Sequence, residues 1–251
     1  MVRIACQNSV CGGVGTSLQA TEVFDVSVQF DSSPPHAARA VNRAAHRATG
    51  YRIWLKRALD VGLVLVALPV VLPLMGLIAL ALWIEGGQPF YTQARLGQHG
   101  RKFRVLKFRT MVRDAEHMLQ RLLDEDPALR REWDRTQKLR HDPRITPIGH
   151  FLRRSSLDEL PQLFNVLRGE MSLVGPRPMM PEQLELYGPY APSYFALRPG
   201  LTGLWQVSER NSAHFLRRAE LDAQYERMVS FSRDLALLLA TFRVVWRGTG
   251  Y

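Results

Sequence analysis

The chain has 251 residues, and 46% of them are hydrophobic, which is enough for a packed core and excludes a wholly disordered protein. Lys and Arg number 33 against 23 Asp and Glu, a net charge of +10, so an anionic partner is favoured: nucleic acid, anionic lipid or a phosphorylated substrate. The two cysteines, Cys6 and Cys11, have no histidine cluster beside them and indicate neither a zinc site nor a disulfide framework.

Residues 1–49 mix Ser, Gln, Ala and Arg without sustained periodicity, and we predict a flexible leader there. No early apolar stretch is followed by a small-residue cleavage site, so no signal peptide is expected. A glycine-rich hexapeptide, Gly12 to Ser17, is similar to a nucleotide P-loop. It lacks the lysine before Thr16 that would neutralise phosphates, which favours a plain glycine-rich segment.

An uncharged apolar stretch from Val61 to Ile84 is longer than the roughly 20 residues that cross a bilayer. Basic residues flank it on both sides, and the positive-inside rule therefore places both flanks in the cytoplasm. Pro69 and Pro73 lie in its middle, where each removes a backbone donor. We predict a re-entrant helix-break-helix over residues 50–88, broken at these prolines; a kinked spanning helix is the alternative. The basic flanks are Arg52, Lys56, Arg57, Arg95, Arg101, Lys102, Arg104, Lys107 and Arg109.

The rest of the chain, residues 89–251, is predicted to form a small cytosolic domain of α+β class, mainly helical. Two strand-like segments, 89–93 and 102–109, flank a turn that contains glycine and predict a β-hairpin. Residues two apart on a strand project from the same face, so Lys107 and Arg109 are expected to lie side by side.

Helices and ordered loops are expected after the hairpin. The last helix is apolar over much of its surface and too short to span, which suits a surface-lying amphipathic helix or a place in the core. The predicted helices cover 111–126, 216–228 and 234–245, and the Pro- and Gly-rich loops cover 143–149, 175–181 and 199–203.

Two adjacent carboxylates, Asp158 and Glu159, raise the question of a catalytic site. Ser156 followed by Glu159 fits a helix capping box, and acids in a first helical turn complement the helix dipole. The same helix start, close to Arg153 and Arg154, would also keep Asp158 ionised as a nucleophile or metal ligand. Both roles remain open on this evidence, and they are compatible.

Cations in Gly- and Pro-rich segments favour the functional interpretation. A guanidinium held in a stiff loop, as Arg177 is in the run Val174 to Pro178, is suited to binding phosphate. Carboxylates, Mg²⁺ and a cationic cradle at a membrane surface suggest phosphoryl transfer to or from a lipid. The cations in question are Lys107, Arg109, Arg153, Arg154, Arg177 and Arg198.

Four stretches closely resemble the bacterial sugar transferases, the monotopic polyprenyl-phosphate phosphoglycosyl transferases. The resemblance covers about residues 51–251 and leaves the leader outside. One departure is that Leu68 stands before Pro69 where many members have serine, so the break could rest more on Pro73. The stretches are KRALD (Lys56–Asp60), KFRTM (Lys107–Met111), DPRITPIGHFLRRSSLDELPQLFNVLRGEMSLVGPRP (Asp142–Pro178) and RPGLTGLWQVSERN (Arg198–Asn211).

This resemblance implies a reaction and roles for individual residues. Asp158 would attack the β-phosphate of a UDP-sugar and expel UMP, and undecaprenyl phosphate would then take the sugar phosphate. Glu159 would be its partner in holding Mg²⁺. The family also implies a re-entrant helix broken at proline, a bacterial inner-membrane location and a catalytic domain on the cytoplasmic face. Phosphates and substrate would be held by Lys107, Arg109, Arg154, Arg177 and Arg198.

The sequence leaves several alternatives open. The C-terminal part resembles the branch that begins exopolysaccharide repeat units with galactose or glucose 1-phosphate, whereas an N-acetylhexosamine donor would use the same motifs. A non-catalytic membrane-surface scaffold is a further alternative. Nucleic-acid binding is not expected, because no basic recognition helix is present. A homo-oligomer is compatible with the sequence, which leaves the oligomeric state undetermined.

Overall fold

The computed structural model describes residues 50–136, 139, 141–208 and 215–246. Within them the protein is mainly helical, with two sheets of two strands each, as the predicted α+β class requires. The predicted leader over 1–49, including both cysteines and the glycine-rich segment, lies outside the described residues.

The apolar segment forms one long helix. A π-helical turn, Tyr51–Leu55, leads into α1, Lys56–Ile84, which contains both Pro69 and Pro73. The predicted interruption at these prolines is therefore not found, and this expectation is corrected. Each proline removes only one bond of the helical ladder, and helices in apolar surroundings tolerate that loss because the remaining backbone groups stay paired.

Helix α1 is long and apolar enough to cross a membrane, although it also packs against the rest of the protein. Val64 joins the main hydrophobic core, and Met75, Ile78 and Leu82 join a second core with Phe108. The opposite face leaves large apolar side chains exposed. They include Leu63, Leu65, Val66, Val70, Leu72, Leu74, Leu77, Leu80, Trp83 and Ile84.

The predicted β-hairpin is confirmed. Strands β1, Phe90–Leu96, and β2, Lys102–Phe108, pair antiparallel, with Phe90 opposite Phe108. Between them the chain reverses through a 3-10 turn, where His99 and Gly100 both have positive φ, the conformation that glycine adopts most easily. Strand β2 carries Lys107 toward the acidic pair described below.

Two helices follow the hairpin where one was predicted. Helix α2 is Ala115–Glu125 and α3 is Pro127–Thr136, so Pro127 ends one helix and begins the next. The pair has a small core of its own, formed by Leu119, Leu123 and Leu139.

The acidic pair lies between helix α4, Pro147–Ser155, and helix α5, Gln162–Arg168. Strands β3, Ser172–Val174, and β4, Gly200–Thr202, then pair in parallel. Strand β4 lies inside the loop predicted over 199–203, and β3 directly precedes the loop predicted over 175–181. A Cβ on Gly175, Gly200 or Gly203 would overlap backbone atoms of the neighbouring segment, so glycine permits this close approach.

The C-terminal helices complete the main core. The helices predicted over 216–228 and 234–245 are confirmed with slightly wider bounds, and Tyr225 and Leu237 join Val64 in the main core. The final helix exposes Phe231, Leu235, Leu239 and Phe242 at helical spacing, as a surface-lying amphipathic helix does. These helices are α6, Leu184–Tyr187; α7, Ala191–Phe195; α8, Leu204–Ser208; α9, Phe215–Met228; and α10, Phe231–Trp246.

Candidate active site

The acidic pair lies in a tight turn that the preceding helix presents to the hairpin. Thr146 caps the start of α4 by accepting a hydrogen bond from the Gly149 amide at 3.0 Å. At the other end of α4, Ser156 adopts a left-handed conformation with φ 58° and reverses the chain. Asp158 and Glu159 follow in a 3-10 turn, Leu157–Glu159, and Asp158 is only 8% exposed.

The predicted capping box is not formed. Ser156 directly follows the last residue of α4 and makes no side-chain capping bond to the turn that follows it. The sequence pattern fits a cap, but the left-handed backbone at Ser156 ends one helix instead of starting the next. Capping therefore does not account for the two adjacent acids.

Two cations from distant segments contact the acidic pair. The Lys107 ammonium lies 2.8 Å from Oε1 of Glu159 and 3.6 Å from Oδ2 of Asp158. Arg177, from the loop after β3, donates Nη2 to the same Glu159 oxygen at 3.1 Å. The fold thus brings Lys107 on β2 and Arg177 in the loop after β3 to the acidic turn after α4. These two cations and the two acids are residues that the sequence predicted for one site.

Burial and charge act against each other at Asp158. Burial raises the pKa of Asp158, and the adjacent Glu159 raises it further, whereas Lys107 and two arginines lower it. These arginines are Arg153 and Arg177. Arg153 is held by a bond from its Nε to Oγ1 of Thr110 at 2.9 Å, at the end of β2. A carboxylate in this position needs neighbouring positive charge in order to stay ionised.

Three of the predicted phosphate-binding residues lie elsewhere. Arg154 is exposed and is not among the charged groups that act on Asp158. Arg109 follows the end of β2 and donates Nη2 to the carbonyl of Leu82 at 3.0 Å, so it faces the end of α1. Burial lowers the pKa of Arg198, and its charged neighbours are Arg57 and Asp60, near the start of α1. The structure does not bring these three to the acidic pair, and their assignment stays a prediction.

A buried asparagine fixes the position of Lys107 relative to the acidic turn. Asn165, on α5, accepts a bond from the Leu106 amide at 3.0 Å and donates to the Arg104 carbonyl at 2.8 Å. Its side chain is fully buried and pairs with β2 as a neighbouring strand would. The sequence did not lead us to predict a role for Asn165, although an amide side chain inside the apolar run LFNVL indicates a buried polar contact.

A buried arginine positions Arg177. Arg218, on α9, donates Nη2 to the Arg177 carbonyl, and its guanidinium lies over the rings of Tyr187, Trp205 and Phe215 at 5.2 to 5.6 Å. Nearby, burial raises the pKa of Asp222 to about 6 although the Arg218 charge opposes the shift. Arg218 therefore supports the loop from which Arg177 reaches Glu159.

We expect Arg218→Met to lower kcat/KM about 10- to 100-fold, since it removes the anchor of the Arg177 loop. The effect should nearly vanish in an Arg177→Ala background, because residues that act through one another are not additive. Arg217→Met is the matched control, as Arg217 pairs with Glu220 on the helix surface. Equal losses of kcat/KM from Arg218→Met in both backgrounds would contradict the coupling.

Asp158 and Glu159 are the two residues that would hold a magnesium ion. No group of three or more His, Cys, Asp or Glu side chains suited to a metal occurs in the described parts of the chain, so the protein supplies only these two carboxylates. Mg²⁺ is commonly bound by one or two carboxylates, with the remaining positions taken by water and substrate phosphate.

Comparison with known proteins agrees with this geometry. The sequence profile of the family described as "Bacterial sugar transferase" matches residues 51–248. The chain belongs to the bacterial sugar transferase family. The predicted resemblance is therefore confirmed, and the matched range contains Lys107, the acidic pair and Arg177.

Relatives of this transferase carry related names. It is 46% identical over 197 residues to the UDP-galactose-lipid carrier transferase of Erwinia amylovora, covering 78% of this chain and 41% of that protein. It is 42% identical over 212 residues to the undecaprenyl-phosphate galactose phosphotransferase of Salmonella typhimurium, covering 84% and 44%. The exopolysaccharide production protein ExoY of Sinorhizobium fredii is 44% identical, covering 78% and 87%. The chain thus spans less than half the length of the first two relatives.

Proposed function

We propose that this sugar transferase moves hexose 1-phosphate from a UDP-sugar to undecaprenyl phosphate through a sugar-phosphoryl-aspartate. The observation that carries the proposal is the buried Asp158, with Lys107 3.6 Å from one of its oxygens and Glu159 bound by Lys107 and Arg177. A desolvated carboxylate among cations is suited to attack phosphorus while the negative charge of the phosphate is balanced. The names of the Erwinia and Salmonella relatives support the substrates.

The proposed reaction has two displacements at one phosphorus atom. In the first, an Asp158 oxygen attacks the β-phosphorus, a new P–O bond forms, and the bond to the UMP leaving oxygen breaks. In the second, an oxygen of undecaprenyl phosphate attacks the same phosphorus and releases the Asp158 carboxylate. UMP and undecaprenyl-diphosphate hexose are the products, and the second would begin an exopolysaccharide repeat unit.

The surrounding residues have separate tasks in this scheme. Lys107 and Arg153 lower the pKa of Asp158 and so favour its ionised form before attack. Arg177, which contacts Glu159, would bind the donor phosphates. Mg²⁺, held by Asp158 and Glu159 together with the donor, would neutralise diphosphate charge. Glu159 also holds Lys107 and Arg177 in place through its Oε1.

Galactose or glucose is the proposed donor sugar, with a slight preference for galactose. Two relatives have galactose in their names, and a relative from Komagataeibacter xylinus at 38% identity is named an undecaprenyl-phosphate glucose phosphotransferase. We expect UDP-galactose or UDP-glucose to outcompete UDP-N-acetylglucosamine at equal concentration. The test measures UMP release and identifies the lipid-linked product by mass. A predominant N-acetylhexosamine product would contradict the donor assignment and leave the Asp158 chemistry in place.

Both ends of α1 are proposed to lie on the cytoplasmic side of the inner membrane. At its start, Lys56 pairs with Asp234 at 2.5 Å and Asp60 accepts the Leu173 amide at 3.0 Å. At its end, the Leu82 carbonyl accepts from Arg109. A straight helix of 29 residues is about 43 Å long, more than the roughly 30 Å hydrocarbon core. Spanning would therefore place charged parts of one compact unit on both sides of the bilayer.

Cysteine accessibility tests this topology. With Cys6 and Cys11 replaced by serine, single cysteines at the exposed positions Gly50 and Gln88 flank α1. We expect neither to react with an impermeant maleimide added to intact cells, and both to react after permeabilisation. A periplasmic reporter cysteine verifies that the reagent has access. Labelling of either position from outside would contradict the same-side arrangement.

A further inference from the structure

Two guanidinium groups meet beyond the end of α1, away from the acidic pair. Gly87, with φ 149°, lies against both of them. A Cβ added at Gly87 would overlap Nη1 of Arg109 and would lie 2.8 Å from Nε and 3.0 Å from Nη2 of Arg113. Glycine at this position is thus what allows two positive groups to approach the same point.

Neither Arg109 nor Arg113 forms an ion pair with a carboxylate among the described residues. Nη1 of Arg109 is buried without a hydrogen-bond partner, and among the described residues Arg113 makes no hydrogen bond or ion pair. Asp114 directly follows Arg113 but is exposed and forms no ion pair with either arginine in the described structure. Glu85, two residues before Gly87, accepts a bond from Thr146 at 3.1 Å. A buried guanidinium nitrogen without a partner is costly, so two converging arginines with a spare donor are suited to an anion.

Exposed apolar and aromatic side chains lie at the end of α1, on β1 and α4, and next to Arg113 along the chain. Trp83 is 67% exposed, and Ile84, Phe90, Tyr91, Val112 and Phe151 are also exposed. Arginine next to exposed Trp and Tyr at the end of an apolar helix is typical of the level of lipid headgroups. A soluble phosphate would gain nothing from such a rim, whereas a lipid phosphate has acyl chains that would cover it.

We infer that Arg109 and Arg113 bind the phosphate of an anionic phospholipid headgroup at the end of α1. The planar guanidinium fork matches phosphate oxygens, and the exposed apolar side chains face the acyl region. Arg109 contacts the Leu82 carbonyl at the end of α1, whereas the acidic pair is contacted by Lys107 and Arg177. This lipid site does not depend on the proposed reaction, and its test needs no turnover.

Native mass spectrometry of the full chain in detergent tests this inference. The wild type is mixed with equal amounts of phosphatidylglycerol and phosphatidylcholine, and retained lipid is counted. We expect a preference for phosphatidylglycerol that falls about fivefold in Arg113→Gln, since one arginine near an anionic surface contributes roughly that factor. Arg131→Gln, on the exposed surface of α3, removes the same charge and should retain the preference.

Arg109→Gln should reduce the preference as well, but it also removes a bond to Leu82. Arg113 is exposed and makes no internal bond in the described structure, so its variant decides the matter if Arg109→Gln does not fold. Equal retention of both lipids by the wild type, or an unchanged preference in Arg113→Gln, would overturn the inference. In a second experiment undecaprenyl phosphate is added to the same lipid mixture. If Arg113→Gln then retains less undecaprenyl phosphate but as much phosphatidylglycerol as the wild type, the site belongs to the acceptor and the inference is overturned.

Discussion

Replacing Asp158 by asparagine is expected to lower turnover about 10⁴-fold or more, because an amide oxygen is neither a competent nucleophile nor a good metal ligand. Wild-type protein incubated with donor alone should gain the mass of a sugar phosphate, and Asp158→Asn should not. Mass spectrometry of the intact protein detects the adduct, and UMP release measures turnover.

Stability measurements separate this effect from misfolding. Burial raises the pKa of Asp158, which means that the charged form is disfavoured in the folded protein. The neutral asparagine is therefore expected to leave the thermal unfolding midpoint unchanged or higher. Asp124→Asn, on an exposed side chain of α2, is the matched control and should react normally. Turnover at the wild-type rate in Asp158→Asn would remove Asp158 from the mechanism.

The second large effect is expected at Lys107. In Lys107→Met the ammonium that lies 2.8 Å from Glu159 and 3.6 Å from Asp158 is lost, and two adjacent carboxylates then face each other with less positive charge. We expect kcat/KM to fall about 10²- to 10³-fold, the magnitude found when one preorganised electrostatic contact is removed. Formation of the aspartate adduct should slow by a similar factor.

Lys102→Met provides the control for Lys107. Lys102 lies on the same strand, is exposed and opposes Leu96 at the other end of the hairpin. Its loss should leave kcat/KM within about twofold, as most surface substitutions do. Lys107→Arg should recover part of the activity, because charge is kept while the geometry changes. A small effect in Lys107→Met, with unaltered folding, would show that Arg153 and Arg177 suffice for Asp158.

The arginines next to the acidic pair illustrate what a sequence leaves undecided. Arg153 and Arg154 are adjacent on α4, so their side chains point about 100° apart. The resemblance favoured Arg154, but the structure turns Arg153 inward against Thr110 and leaves Arg154 exposed. Which of two neighbours faces inward depends on the side of α4 that packs, and that side is set by the contact of Leu152 with Phe108 and α1.

The sequence by itself determined the features that depend on local chemistry. The apolar run predicted α1, the glycine-bearing turn predicted the hairpin, and the ordered motifs predicted the family and the grouping of Lys107 and Arg177 with the acidic pair. Periodicity and turn geometry depend on near neighbours along the chain. A long ordered motif is specific enough to indicate a family and the residues of its site.

Only the tertiary structure decided the features that depend on distant segments. The parallel pairing of β3 with β4 joins residues 28 apart along the chain, Ser172 and Gly200, through strands of three residues, too short for a periodic signal. The same holds for Arg218 behind Arg177, for Asn165 against β2, and for the contacts of both ends of α1 with one compact unit. Each of these contacts results from packing in three dimensions, which local sequence preferences constrain only weakly.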